Sequence, residues 1–227
     1  MSSHDNNKSF AETDGSALPF GAVAIGRNEG KRLRVCLESL TAASIIIYVD
    51  SGSSDGSVKM ARSFGAYVVE LDQRTPFSAA RARNAGFAHL LEVHPDLAFL
   101  QFIDGDCELD AQWPRAAIEL LQAKSDVAAV CGRLRERFPQ RSIYNWLCDR
   151  EWDRPTGEVR ACAGNVMMRV AALAAAGGYR EDVIAAEEDE LCVRLRNMKW
   201  RIWRTSGRWN GAGTNSAAFW TPRRLFP

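Results

Sequence analysis

The chain has 227 residues, 46% hydrophobic and 25% charged, and its 29 Lys+Arg nearly cancel 28 Asp+Glu for a formal net charge of +1. That composition can bury a core of ordinary size and argues against wholesale disorder, and the near-neutral balance argues against a dedicated nucleic-acid binder. No apolar run approaches the 18 or so residues of a membrane span.

Residues 1–19 are polar, have no apolar core of a secretory signal, and read as a disordered leader. The absence of an export signal and of a spanning segment implies a cytoplasmic protein, with association at the inner face of the membrane as the alternative placement. The six cysteines form no C-x-x-C pair, so they read as reduced, mostly buried thiols rather than a zinc or thioredoxin motif. The cations are 24 Arg to 5 Lys, spread along the whole chain.

Order is expected from Phe20. Ala22–Ile25 is an apolar strand ending at Gly26, and Leu33, Cys36, Leu37 and Leu40 have the spacing of one helical face. Ile45–Val49 is a β-branched run of the kind buried in a parallel sheet, stopped by the turn cluster Asp50-Ser51-Gly52-Ser53-Ser54-Asp55-Gly56. A helix over about 57–64 and a strand over 67–71 follow. Ser78 is placed to cap a helix running to Val93. Leu97–Ile103 is an apolar strand that breaks at Asp104-Gly105-Asp106; a helix over about 113–124 and a strand over 126–131 come next. This alternation predicts an α/β domain with a mostly parallel central sheet flanked by helices. Residues 133–160 are rich in Arg and aromatics without a clear period; Arg133–Arg141 could touch anionic lipid or an acceptor phosphate, but the interruptions at Glu136 and Pro139 favour a solvated edge. Residues 166–176 and 187–198 read as helices, 200–204 as a last short strand, and 205–227 as an irregular tail. A single domain over 20–204 is expected.

Polar turns recur at the ends of successive strands: Arg27-Asn28-Glu29, Asp50–Asp55 and Asp104–Asp106. Loops at the carboxyl ends of parallel strands share one edge of the sheet, where ligands bind. Acidic clusters there suit a divalent cation together with a phosphorylated ligand. Taken alone, Asp104-Gly105-Asp106 serves equally as an ordinary strand-ending turn. Glu187-Glu188-Asp189-Glu190 opens a helix, where acidic residues complement the macrodipole; the other reading makes one of them a base, its pKa raised by crowding.

In order, these segments resemble family 2 glycosyltransferases of the GT-A fold. Val23–Glu29 is similar to the family's opening strand and R-N-E turn, Val49–Ser57 to its V-D-D-G-S-x-D-G-[ST] loop, and Ala80–Gly86 to its A-R-N-x-G helix. Asp104-Gly105-Asp106 resembles its D-x-D. Gly164–Arg169 resembles its G-x-N-hydrophobic-R stretch, and Glu187–Arg194 its E-D-x-D-L-x-x-R motif in an E-E variant. The resemblance covers about residues 20–204.

It implies a hexosyltransferase-type enzyme that moves a sugar, with inversion, from a nucleoside-diphosphate sugar to an acceptor hydroxyl on a glycan or a lipid-linked molecule. Arg27, Glu29, Asp50 and Asp55 would line the nucleotide pocket. Arg81 would lie near the pyrophosphate, with Arg83 in register with the A-R-N motif. Asp104 would contact ribose or metal, and Asp106 would be the main ligand of Mn²⁺ or Mg²⁺. Glu188 would be the catalytic base, with Glu187 beside it. Two departures stand out. Glu replaces Asp at the base position, and no His follows the acidic helix, because His4, His89 and His94 all precede it. Such relatives commonly continue further, so the tail also reads as a truncated end. Two alternatives remain: a non-catalytic nucleotide-sugar-binding remnant, and a nucleotidyltransferase, whose G-x-G-x-R loop Gly26–Gly30 does not fit. A dinucleotide-binding reading lacks its G-x-G-x-x-G.

Overall fold

The computed structural model describes residues 19–205 and, for its backbone alone, the strand at 217–220. The expected leader lies outside the described residues except at its end, as does most of the expected tail.

Strands β1 (Phe20–Gly26), β2 (Ile45–Asp50) and β3 (Tyr67–Glu70) alternate with helices α1 (Lys31–Ser39) and α2 (Ser57–Ser63). Helix α3 (Ala79–Val93) then leads to β4 (Phe99–Asp104). After the two-residue β5 (Cys107–Glu108) come α4 (Trp113–Ala123) and β6 (Val127–Cys131). The main sheet is completed by β8 (Gly157–Val159), β9 (Val166–Arg169) and β10 (Arg201–Arg204), in the order β3-β2-β1-β4-β9-β6-β10-β8. Strands β1, β2, β3, β4, β6 and β10 run one way, while β8 and β9 oppose them. This is the mostly parallel sheet the alternation predicts.

Side chains alternate across a strand, so β1 feeds both faces. Val23 and Ile25 pack with α3, and with α6 (Val170–Ala176) and α7 (Glu187–Asn197) through Leu90, Leu173 and Leu195. Ala22 and Ala24 pack on the other side with Leu33 and Leu37 of α1 and with Trp113 and Ile118 of α4. Gly86 lets α3 approach the sheet: a Cβ there would lie 2.4 Å from Val23 Cγ1 and 2.9 Å from Val49 Cγ2.

Two expectations are corrected. The segment 166–176 is not one helix: Val166–Arg169 forms β9, wedged between β4 and β6, and only Val170–Ala176 is helical. A run buried on both faces shows no alternation, so Val-Met-Met read as a continuation of the Ala-rich helix behind it. The region 133–160 is ordered: β7 (Arg133–Glu136), a 3-10 turn at Pro139–Arg141, α5 (Ile143–Glu151) and then β8. The solvated edge expected at Arg133–Arg141 holds at Arg141, which is exposed, but not at its start. Arg133 and Arg135 are half-buried and converge on Asp149 of α5, with Arg135 Nε donating to Asp149 Oδ1 at 3.1 Å. Strand β11 (Ala217–Trp220) joins the small sheet β5-β11-β7, parallel to β7. Among the described residues, no helix is long and apolar enough to cross a membrane.

Candidate active site

The strand order reverses between β1 and β4, which are neighbours although α1, β2, α2, β3 and α3 intervene. Their diverging carboxyl ends leave a cleft, as such switch points do. It has a volume of about 450 Å³ and is bordered by Gly26, Arg27 and Glu29 after β1, Ser51 after β2, Ser78 and Ala82 of α3, and Asp104–Asp106 after β4.

The loops around it are tied to each other. Asn28, in the left-handed region at φ 56°, accepts a hydrogen bond at Oδ1 from the Ser54 N–H at 2.7 Å, while its own N–H donates to Ser53 Oγ at 2.8 Å. Asp50 is buried; it accepts from the Tyr48 hydroxyl at 3.0 Å and from the N–H groups of Gly52 and Ser53 at 2.9 and 2.7 Å. Burial, the Asp50 charge and its hydrogen bond push the Tyr48 phenol well above its ordinary value, which keeps it a neutral donor. Glu29 is buried and pairs with Arg32 at 2.7 Å; Arg27 is exposed, its guanidinium 4.8 Å from the centre of the Phe77 ring. Gly105 bends the Asp104–Asp106 turn against the β1 backbone: its N–H donates to Ile25 O at 2.7 Å, and a Cβ would lie 3.1 Å from that oxygen.

Two of the sequence candidates stand apart. Asp55 turns back on the start of α2, accepting from the Ser57 N–H and hydroxyl at 3.0 and 2.6 Å. Although burial opposes it, these bonds hold the Asp55 carboxyl below its ordinary range. Arg81 braces the preceding loop, donating to Thr75 O and Asp72 O at 3.0 Å each.

Arg83 gathers most of the others. Its side chain is buried, with Nη1 at 2.8 Å from Glu187 Oε1 and 3.0 Å from Glu188 Oε1, and Nη2 at 3.2 Å from Asp104 Oδ1. Burial alone would lower its pKa, but Asp104, Tyr179, Glu188 and Glu187 outweigh burial and hold it raised, so it stays a cation. Gly164 makes room, because a Cβ there would fall 2.1 Å from Arg83 Nη2. The A-R-N-x-G pattern thus divides into three jobs. Arg83 centres the ion cluster, and Gly86 brings α3 to the sheet. Asn84 clamps Tyr179, accepting from its N–H and donating to its carbonyl, both at 2.8 Å.

Glu187 and Glu188 enter from the first turn of α7, behind Ala186 at φ 61°. A non-glycine residue held there stores about 1–3 kcal/mol of backbone strain. The two acids differ. Glu187 is buried against Arg83, whereas Glu188 opens onto a second pocket of about 340 Å³ that also involves Asn165, Trp152 and the end of β6. Burial raises the Glu188 carboxyl above its ordinary range against the pull of Arg83, with the Glu187 and Asp104 charges adding to the rise. Asn165 links the two spaces: its Oδ1 accepts from the Asp104 N–H at 3.0 Å. Asn84 and Asn165 carried a signal in the quoted motifs, although no role was assigned to either. Trp152 and Arg154 carried none, because they come from a segment without a period, whereas Arg133 fell in the Arg133–Arg141 stretch and Arg204 ended the last expected strand.

Asp104 and Asp106 border the cleft, and no three His, Cys, Asp or Glu side chains among the described residues form a metal cage. Mg²⁺ and Mn²⁺ are commonly held by one or two carboxylates and by substrate phosphates. The donor set fits an ion shared with a phosphorylated ligand.

Residues 23–176 match the family described as "Glycosyl transferase family 2". Among curated proteins, the glycosyltransferase AglE of Haloferax volcanii is 30% identical over 137 residues, 55% of this chain and 42% of that one. Among solved structures, S. aureus TarS 1-349 in complex with UDP superposes with a TM-score of 0.69 at 15% identity, over 90% of this chain and 61% of that one. The mannosyltransferase PcManGT of Pyrobaculum calidifontis, in complex with GDP-Man and Mn²⁺, gives 0.66 at 17% identity, over 92% and 59%. The chain therefore spans less than two thirds of the length of each, and at such identities the structural likeness shows the fold, that of GT-A glycosyltransferases.

Proposed function

The chain belongs to glycosyl transferase family 2, and from that premise we propose that it transfers a sugar, with inversion, from a nucleoside-diphosphate sugar to an acceptor hydroxyl. The donor occupies the β1/β4 cleft and the acceptor occupies the pocket onto which Glu188 opens. One observation carries the reading: Arg83 bridges Asp104, at the first space, to Glu188, at the second.

Arg27, Glu29 and Asp50 receive the nucleotide at the carboxyl ends of β1 and β2. Asp106 and Asp104 hold Mn²⁺ or Mg²⁺, which would offset the charge of the departing diphosphate; the Mn²⁺ in the complex of PcManGT supports that choice. Glu188 takes the proton from the acceptor hydroxyl. Its raised pKa brings its basicity closer to the working pH, as a general base requires. Glu187 stays paired with Arg83 and keeps the guanidinium oriented. Arg83 itself shares the negative charge of Asp104 and Glu188, two carboxylates that must remain close.

The test is Glu188→Gln. Binding of UDP or GDP with Mn²⁺, read by calorimetry, should persist while transfer to a hydroxyl acceptor is lost. Transfer at the normal rate in this variant would remove Glu188 from the base role. Asp106→Ala should abolish the Mn²⁺-dependent part of nucleotide binding.

A further inference from the structure

The second pocket is assembled from the ends of β6 and β10, the segment after α5 and the linker before β9. Three arginines line it, Arg133, Arg154 and Arg204. Arg133 is engaged, its Nη2 lying 3.3 Å from Asp153 and 3.7 Å from Asp149, but its Nε is buried without a hydrogen-bond partner. Arg154 uses Nε on Glu151 O at 3.0 Å, and Arg204 uses Nη1 on Gly132 O at 3.3 Å. Neither of these two pairs with a carboxylate among the described residues. The acids of the pocket are Glu188 and Asp189, and the Glu188 charge is already shared with Arg83.

We propose that this pocket selects an acceptor carrying an anionic group, phosphate or carboxylate, near the hydroxyl that is glycosylated, with Arg154 and Arg204 holding the anion. The proposal rests on the acceptor reading of this pocket and adds the acceptor's chemical class. Guanidinium forks match phosphate and carboxylate oxygens in pairs. Arg154 is exposed and Arg204 half-buried, so an anion paired with Arg204 is screened less than at an open surface. A neutral acceptor would leave both guanidinium groups without an anionic partner, which supplies discrimination as well as affinity.

Calorimetry on the full chain tests this, with UDP and Mn²⁺ bound first. Glucose 6-phosphate and glucuronate serve as anionic probes and methyl glucoside as the neutral one; the two anionic arms separate a phosphate from a carboxylate source. At least one anionic probe should bind about tenfold or more tightly than methyl glucoside. The double substitution Arg154→Ala, Arg204→Ala should remove that advantage, and Arg154→Lys, Arg204→Lys should restore part of it in a pocket of similar bulk. Equal binding of neutral and anionic probes, or anionic binding unchanged in the alanine variant, overturns the proposal. So does displacement of the anionic probe by excess UDP, which would locate it in the β1/β4 cleft. If UDP and GDP never bind but the anionic probe does and depends on both arginines, the pocket assignment stands and the transferase reading falls.

Discussion

Helices α3 and α5 both have two unlike faces, and they turn those faces opposite ways. Helix α3 buries Ala80, Ala82, Gly86, Phe87 and Leu90 against the sheet and admits one charge, Arg83, into its buried face. Helix α5 exposes Ile143 and Tyr144, at 63% and 74%, together with Trp146 and Leu147, and turns Asp149 inward. There Asp149 Oδ1 accepts from the Glu136 N–H at 3.0 Å and from Arg135, while Arg133 approaches the other oxygen. Apolar burial fixes the first helix and an ionic anchor fixes the second. The lesson is that periodicity reports position only where the hydrophobic effect does the positioning.

Substitutions at each anchor can break this contrast. The largest effect is expected at Arg83→Met, which leaves Glu187 buried beside Glu188 and Asp104 without their shared cation. Stripping one partner from a buried ion pair costs about 3–5 kcal/mol, so the urea midpoint should drop steeply at an unchanged slope. A loss under about 1 kcal/mol would mean that α3 does not depend on its one buried charge. Asp149→Ala comes next. It removes the acceptor of the Glu136 N–H and the counter-charge of two arginines, and should cost about 1–3 kcal/mol. Part of that loss should be masked in high salt, because the arginines concerned are only half-buried.

A smaller effect is a pH slope. Glu188 binds its proton more tightly in the folded protein, raised from the ordinary value of 4.5. Between that value and its raised one, the native state holds more protons than the unfolded chain, so this group's contribution to stability falls as pH rises. Glu188→Gln should flatten the slope over that window, measured by urea unfolding at a series of pH values. The smallest effect is expected on the outer face of α5. Tyr144→Ser and Trp146→Ser should each change stability by no more than about 0.5 kcal/mol, whereas a loss above about 2 kcal/mol would show that this face is packed in solution.

Much of the site was legible for the same reason as α3. Asp50 and Asp104 end strands whose apolar runs are unmistakable, and a parallel sheet carries such ends to one edge. Glu188 was legible as an acid at a helix start. Its difference from Glu187 was not, because which of two adjacent acids faces a pocket depends on how α7 is rotated against Arg83. The separate positions of Arg81 and Arg83 were equally hidden. They lie two residues apart on one helix, and only the packing of α3 on β1 and β2 turns one inward and leaves the other to brace a loop.

The sequence by itself determined the alternation of strands and helices, the edge on which the polar turns gather and the family to which they point, since each depends on short-range patterns of burial and turn chemistry. Tertiary structure alone decided that β9 is a strand, that α5 faces outward over an ionic anchor, that Arg83 joins three carboxylates and that Arg154 and Arg204 share a pocket with Glu188. Those outcomes rest on contacts between residues in different elements of the chain, where the local sequence carries no record of its partner.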